Sequence, residues 1–360
     1  MQSTRLRLDG VLLSALARVA PGTPLRDGID RIVRAKMGAL VVLGDGPDVL
    51  AICTGGFLLD APFSPQKLSE LAKMDGAIIL SADGLRIARA NVHLMPDSRV
   101  PTSETGTRHR TAERVARSLK VPVISVSEEM GVIATYVGEV RHQLQDVSRL
   151  LDRANQALQT LERYKTRLDD ALSNLTALEV EDLVTVRDVA AVLQRAETVR
   201  RIADEIETMI AELGVDARLL RLQLDEMYGG LDVEAELTVK DYLQPGDPRT
   251  ARQVLDALGH MAEGDTVDLR HAAEALSLAT GTVDLDASLI PRGERLLSRV
   301  PRLPSHLAAR VAEHFGDLSK VLRATIADLA EVEGVGVVRA RAIKDSLARI
   351  TETSILDQYS

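Results

Sequence analysis

Met74-Asp75-Gly76-Ala77-Ile78-Ile79-Leu80 is a turn followed at once by an unbroken apolar run. Asp-Gly is a favoured turn pair, because the aspartate side chain can cap its own backbone and glycine tolerates tight dihedral angles. The run behind it reads as a short buried strand. Similar runs, rich in β-branched residues and separated by Gly, Pro and Asp, recur at Ala39–Leu43, Val49–Cys53, Ile87–Leu94, Val121–Val126 and Val132–Val137. Six such strands can make one sheet. Ser64–Met74 and His109–Lys120 show helical spacing, and Val11-Leu12-Leu13 with Leu16 predicts an N-terminal helix before Pro21. Residues 1–143 are therefore expected to form an α/β domain with a mixed central sheet.

The texture changes near Gln145. Gly and Pro vanish until Gly214, while Val147, Leu151, Ala154, Leu158, Leu161, Lys165, Leu168, Leu172 and Leu175 alternate spacings of four and three. That is a heptad seam, interrupted by Lys165; it either meets a partner helix or packs inside a helical bundle of the same chain. Ala190–Leu213 and Arg218–Met227 continue the helical pattern, which Gly229-Gly230 breaks. Residues 144–288 read as an all-α spine, with the turn Pro245-Gly246-Asp247-Pro248 among its connections. From Pro291 onward two similar units follow, each a helix, a tight turn and a second helix, so residues 289–360 read as a further all-α domain.

A chain of 360 residues suits two or three domains, and 45% hydrophobic with 27% charged residues is the balance of a folded protein. The single cysteine, Cys53, lies in an apolar run and cannot pair internally, which predicts a buried structural thiol in a reducing compartment. No stretch approaches the ~20 apolar residues of a membrane span, and the first residues lack a signal-peptide core. The expected location is the cytoplasm, with no membrane partner. A net charge of −9 argues against a general nucleic-acid coat. Between Arg292 and Arg349, however, eleven Lys/Arg face seven Asp/Glu, so any DNA contact belongs there.

Walker A, GxGxxG, HExxH and CxxC motifs are all absent. What stands out is Thr105-Gly106-Thr107-Arg108-His109-Arg110-Thr111 at the start of a helix. Gly106 permits close backbone approach, Thr107 and Thr111 offer hydroxyls, and the helix N-terminus offers free N–H groups and partial positive charge. Arg108 and Arg110 add guanidinium forks, and His109 can donate to a phosphate oxygen. Together these make a polyphosphate site; the bland alternative is a capped helix with surface arginines. Asp75 is a carboxylate able to hold Mg²⁺ or Mn²⁺ near a ribose hydroxyl, or else an ordinary turn residue.

Asp75-Gly76-Ala77, the segment Gly106 to Glu113 and the strand Gly38 to Gly44, in this order, resemble the diadenylate cyclase domain. The whole chain resembles the DNA integrity scanning family, in which that domain precedes a helical spine and a helix-hairpin-helix domain. The resemblance implies that two domains face each other, each holding one ATP, and that two pyrophosphates leave as cyclic di-AMP forms. It implies catalytic roles for Asp75, Arg108, His109 and Arg110, with Asp75 on the metal. Gly76 and Ala77 would line the nucleotide, Thr107 and Thr111 the phosphates, Leu94 the adenine, and Ser127 would be a phosphate neighbour. It further implies a homo-oligomer, an octamer, whose output responds to branched or damaged DNA. The competing expectation is a DNA-binding scaffold that senses nucleotide without turnover.

Leu329 to Ile343 has the helix-hairpin-helix form, with apolar residues around Gly334-Val335-Gly336. Glycines there let backbone N–H groups approach a DNA phosphate, a contact that reads no base sequence. A degenerate copy, Val300 to Val311, carries prolines in place of the hairpin glycines. Val337 and Val338 stand where many DNA-binding examples place Lys or Arg, which leaves Arg339, Arg341 and Lys344 to supply charge. Non-specific DNA binding is expected, with a purely structural hairpin as the alternative.

Overall fold

The computed structural model describes residues 2–244, 246–261, 268–277 and 284–358. Pro245, the first residue of the connecting turn, lies outside them. The chain forms two compact units, residues 1–157 with 205–223 and residues 158–204 with 224–360.

The first unit runs α1 (Gln2–Val19), α2 (Pro24–Arg34), β1 (Ala39–Leu43), α3 (Pro47–Ala51), β2 (Cys53–Thr54), β3 (Phe57–Pro62), α4 (Pro65–Leu71), β4 (Ala77–Leu80), β5 (Arg86–Leu94), α5 (Thr107–Leu119), β6 (Val123–Val126), β7 (Ile133–Val137) and β8 (Val140–Gln143). The strands form one sheet in the order β2-β5-β4-β1-β6-β7-β8, with β3 also on β5. Only β1 and β4 run parallel; every other pairing is antiparallel, so the sheet is mixed as expected.

All residues of β1, β4, β6 and β7 are buried, because helices cover both faces of the sheet. Successive side chains alternate between the faces. Val41, Leu43, Ile78 and Leu80 pack with Leu16, Ile29, Ile32 and Leu68 of α1, α2 and α4. Leu40, Val42 and Ile79 pack with Ala112, Val115 and Ala116 of α5.

Three expectations need correcting. Val49–Cys53 is not one strand: Gly46 and Pro47 open the short helix α3 over its first part, proline at the first position being pre-set for a helical φ, and only Cys53 enters a strand, β2. Cys53 is only half-buried, and its Sγ donates to the Val49 carbonyl at 3.2 Å. Two strands, β3 and β8, were hidden by exposed or alternating polar residues at the sheet's margins.

The remaining elements are helical: α6 (Val147–Glu181), α7 (Val186–Leu213), α8 (Arg218–Tyr228), α9 (Leu231–Tyr242), α10 (Ala251–Met261), α11 (Leu269–Ala275), α12 (Glu294–Ser298), α13 (Ser305–Phe315), α14 (Leu318–Arg323), α15 (Ile326–Ala330) and α16 (Val337–Gln358). On α6 the seam residues Leu158, Leu161, Leu168, Leu172 and Leu175 are buried within the single chain. The seam is thus a core face, and Lys165 at its interruption pairs with Asp169 at 2.7 Å. Gly230, with φ +84°, separates α8 from α9, at the break that the glycine pair predicts.

Helices α12 to α16 share one apolar core that includes Leu297, Val311, Val321, Leu329, Val335 and Ile343. Beside it lies a buried polar cluster. Arg295 on α12, with no exposed surface, pairs with Glu179 and donates to the Thr176 hydroxyl. Tyr242 donates to Glu179 at 2.7 Å, and Asp241 accepts from the amides of Glu294 and Arg295 at 2.7 and 3.1 Å.

Burial, followed by the nearby Glu179 charge, pushes Asp241 up to about 7. The folded chain therefore holds the Asp241 proton more tightly than the unfolded chain, whose aspartates titrate near ~3.9. The Asp241 contribution is present at the acid end of that window and is lost as pH rises towards 7. Asp241→Asn is expected to flatten this slope. Urea midpoints across the same pH range measure it, and an unchanged slope contradicts the assignment.

Candidate active site

The topology gathers residues far apart in sequence at one end of the sheet. Because β1 and β4 are parallel while β5 and β6 run against them, Gly38 and Asp75–Ala77 enter their strands where Leu94 and Ser127 leave theirs. The start of α5 reaches the same end. Arg108 Nη2 donates to Asp75 Oδ1 at 3.0 Å, and its Nη1 lies 3.3 Å from Glu128 Oε2. The two sequence motifs are thus in direct contact.

Two glycines border this contact, and glycine is required at the second. A Cβ on Gly38 would fall on the Arg108 guanidinium. At Gly76 it would lie 2.5–2.6 Å from the backbone of Asn91, which sits with φ +55° where the β4–β5 register shifts. Backbone cannot rotate aside as a side-chain tip can. Gly76→Ala is therefore expected to destabilise the first unit by about 1–3 kcal/mol, the range of overpacking, and to displace Asp75. Urea unfolding and nucleotide affinity measured together check this; a wild-type value for both contradicts it.

Gly106 is the N-cap of α5 and contributes no side-chain cap, so the first amides of the helix remain available to an anion. Arg110 is exposed and makes no ion pair among the described residues. Thr107 is exposed, whereas the Thr111 hydroxyl already donates to the Thr107 carbonyl at 2.9 Å. Leu94 is half-buried at the end of β5, and the Ser127 hydroxyl accepts from the Met130 amide at 3.4 Å.

His109 faces inward on one side: its Nδ1 lies 2.9 Å from the Tyr136 hydroxyl, which donates to Glu104 at 3.0 Å. Arg141 pairs with Glu104 at 2.6 Å. Burial, aided by the Arg141 and Arg108 charges and opposed by Glu104, lowers the His109 pKa. One turn on, Glu113 is buried and accepts from the Thr102 hydroxyl and the Ser103 amide, while Arg117 pairs with it at 3.0 Å. Burial works against its charge, but these partners together hold its carboxyl below the usual range. Glu113 thereby ties the loop before α5 to the helix. Glu104, Glu128 and Tyr136 carry no motif signal in the sequence, and only Glu128, adjacent to Ser127, has a positional one; Glu113 closes the segment that begins at Gly106.

At the C-terminus, Gly334 has φ +87° in the turn between α15 and α16, and a Cβ there would lie 2.9 Å from Leu307. Gly336 has open space around it. Arg341 is exposed, and Arg339 folds back to donate to the Gly334 carbonyl at 2.9 Å. The Lys344 ammonium donates to the Leu322 and Ala324 carbonyls at 2.7 and 2.8 Å, at the end of α14. Val337 and Val338 are exposed at the hairpin tip.

A cavity of about 600 Å³ lies elsewhere, in the second unit, with Lys165, Thr176, Glu234, Arg299 and Arg349 among its walls. Lys165 and Arg299 there are paired with Asp169 and Glu234. Among the described residues no helix is long and apolar enough to cross a membrane.

The family described as DisA bacterial checkpoint controller nucleotide-binding matches residues 26–140, and the DisA bacterial checkpoint controller linker region matches residues 144–284. DNA integrity scanning protein DisA of Frankia alni is 54% identical over 98% of both chains. Its counterpart in Streptomyces avermitilis is 51% identical over 98% of this chain and 95% of its own. Among solved structures, DacA from Staphylococcus aureus aligns with 38% of this chain and 87% of its own at 23% identity, with a TM-score of 0.28.

Proposed function

Since this chain belongs to the DNA integrity scanning protein DisA family, we propose that its nucleotide-binding domain condenses two ATP molecules into cyclic di-AMP and two pyrophosphates. The observation that carries the reading is the Arg108–Asp75 contact, which joins a phosphate-binding helix start to a carboxylate at one end of the sheet. The free amides of α5 and the guanidinium of Arg110 receive the triphosphate. Negative charge developing on the leaving pyrophosphate is the main electrostatic demand of phosphoryl transfer, and cations fixed in advance meet it without reorganisation. Gly76 and Ala77 let the nucleotide approach the start of β4, Leu94 gives the adenine an apolar contact, and Ser127 with Thr107 adds hydroxyls.

The carboxylates of Asp75 and Glu128 suit Mg²⁺ or Mn²⁺. Such ions are held by one or two protein carboxylates plus substrate phosphates, and among the described residues no larger cluster of protein ligands competes. Bound there, the cation would neutralise phosphate charge and acidify the attacking 3′-hydroxyl. Asp75 orients that hydroxyl, while Arg108, shared between Asp75 and Glu128, turns to the α-phosphate.

One site holds one nucleotide while the product joins two, so two heads must meet; a homo-octamer is the assembly we assign. The C-terminal pair of helix-turn-helix units is read as a helix-hairpin-helix module. It contacts the phosphates of branched DNA through the backbone at Gly334 and Gly336 and through Arg339 and Arg341, without base readout. DNA bound there modulates synthesis. Incubation with ATP and either metal, followed by mass analysis, tests the enzyme: cyclic di-AMP supports it. ATP bound but unchanged under both metals replaces it with a nucleotide-sensing scaffold.

A further inference from the structure

The environment of His109 fixes which of its nitrogens can serve the nucleotide. Tyr136, 1% exposed, has one hydroxyl proton, and it donates that proton to the Glu104 carboxylate at 3.0 Å. Arg141 pairs with the same carboxylate oxygen at 2.6 Å. The Tyr136 oxygen therefore faces His109 Nδ1, 2.9 Å away, as an acceptor, and Nδ1 must carry the proton. A neutral imidazole has only one N–H. Nε2 is then a bare lone pair, and it has no protein partner among the described residues.

We propose that Tyr136, held by Glu104, is a positioning residue of the nucleotide site: it fixes His109 in the Nδ1–H form, so that a bound triphosphate draws a proton from solvent onto Nε2. The inference rests on the nucleotide-binding reading above and deepens it. A lone pair facing phosphate oxygens is repelled, whereas an imidazolium Nε2–H donates to them. The groups facing the ring are Tyr136 and Arg141 from the sheet, Glu104 from the preceding loop and Arg108 from its own helix. In the free protein burial and the two arginines favour the neutral ring against the pull of Glu104. The phosphates reverse that balance by bringing negative charge to the open side. One proton moves from water to Nε2, no other bond changes, and binding becomes linked to pH.

The test is calorimetric titration of the full-length protein with 3′-deoxyATP and Mg²⁺ in buffers of different ionisation enthalpy. This nucleotide lacks the attacking hydroxyl, so binding is seen without turnover. Wild-type protein should take up more protons per nucleotide than His109→Gln, whose amide donates without titrating. In Tyr136→Phe the released ring can place its proton on Nε2, so the extra uptake should fall by at least half while binding persists. Uptake equal in wild type and His109→Gln, or undiminished in Tyr136→Phe, overturns the proposal. No binding of 3′-deoxyATP to wild type instead overturns the nucleotide-site reading beneath it. Should Tyr136→Phe fail to fold, ¹⁵N shifts of histidine-labelled wild-type protein decide: a protonated Nδ1 on His109 in the free protein supports the proposal, and a protonated Nε2 with bare Nδ1 overturns it.

Discussion

Asp75→Asn is expected to lower cyclic di-AMP synthesis by at least ~100-fold, the scale on which loss of one positioned ionised group acts on a chemical step. The substitution keeps the shape of the side chain and removes only its charge. Its effect on folding should be negligible: the Asp75 side chain is 93% exposed, and its one ion pair, with Arg108, is of the exposed kind that contributes little. The separation of effects is the informative part. Initial rates of product formation should collapse while the urea midpoint and DNA affinity stay at wild-type values; retained synthesis contradicts the role of Asp75. Glu128→Gln, which leaves Asp75 and its contact with Arg108 in place, should cost less activity.

The largest expected effect on stability comes from Arg295→Ala. With the arginine gone, Glu179 keeps only the Tyr242 hydroxyl in a fully buried setting, and burial of an unpaired carboxylate is strongly unfavourable. Removing one partner of a buried pair costs about 3–5 kcal/mol, whereas replacing both by apolar groups of similar volume is often neutral. Arg295→Met with Glu179→Leu should therefore recover most of the loss. Hydrogen exchange of the peptides covering α9 and α12 localises the effect to the second unit. Equal protection in Arg295→Ala and wild type would show that the pair is not integral to the packing there.

The strand runs were legible where burial on both faces made them continuous, as at Ala39–Leu43 and Ala77–Leu80. They misled where an apolar run met local chain chemistry: Val49-Leu50-Ala51 is helical because Gly46-Pro47 starts a turn that β-branching alone does not reveal. β8, Val140-Arg141-His142-Gln143, has too little apolar alternation to announce a strand and is defined by pairing with β7. On α6 the seam was visible, but spacing could not say whether its cover came from the same chain, and it also missed that Leu150 rather than Leu151 is buried.

The site followed a similar division. Asp75 and Arg108 could be named from their motifs, although 33 residues separate them and only the sheet topology makes them touch. Tyr136 and Glu104 carried no signal, because a buried hydroxyl acquires meaning from partners 27 and 32 residues away. Lys344 read as a surface charge because sequence shows its basicity and not the two carbonyls that receive it.

The most direct measurement is to quantify pyrophosphate and cyclic di-AMP in one reaction of the full-length protein with ATP and Mg²⁺ or Mn²⁺. Two nucleotides attacking each other release two pyrophosphates for each cyclic product, so the account expects that ratio throughout the time course and at least ~100-fold less of both species from Asp75→Asn. Pyrophosphate without the dinucleotide, or ATP that stays intact under both metals, would contradict it.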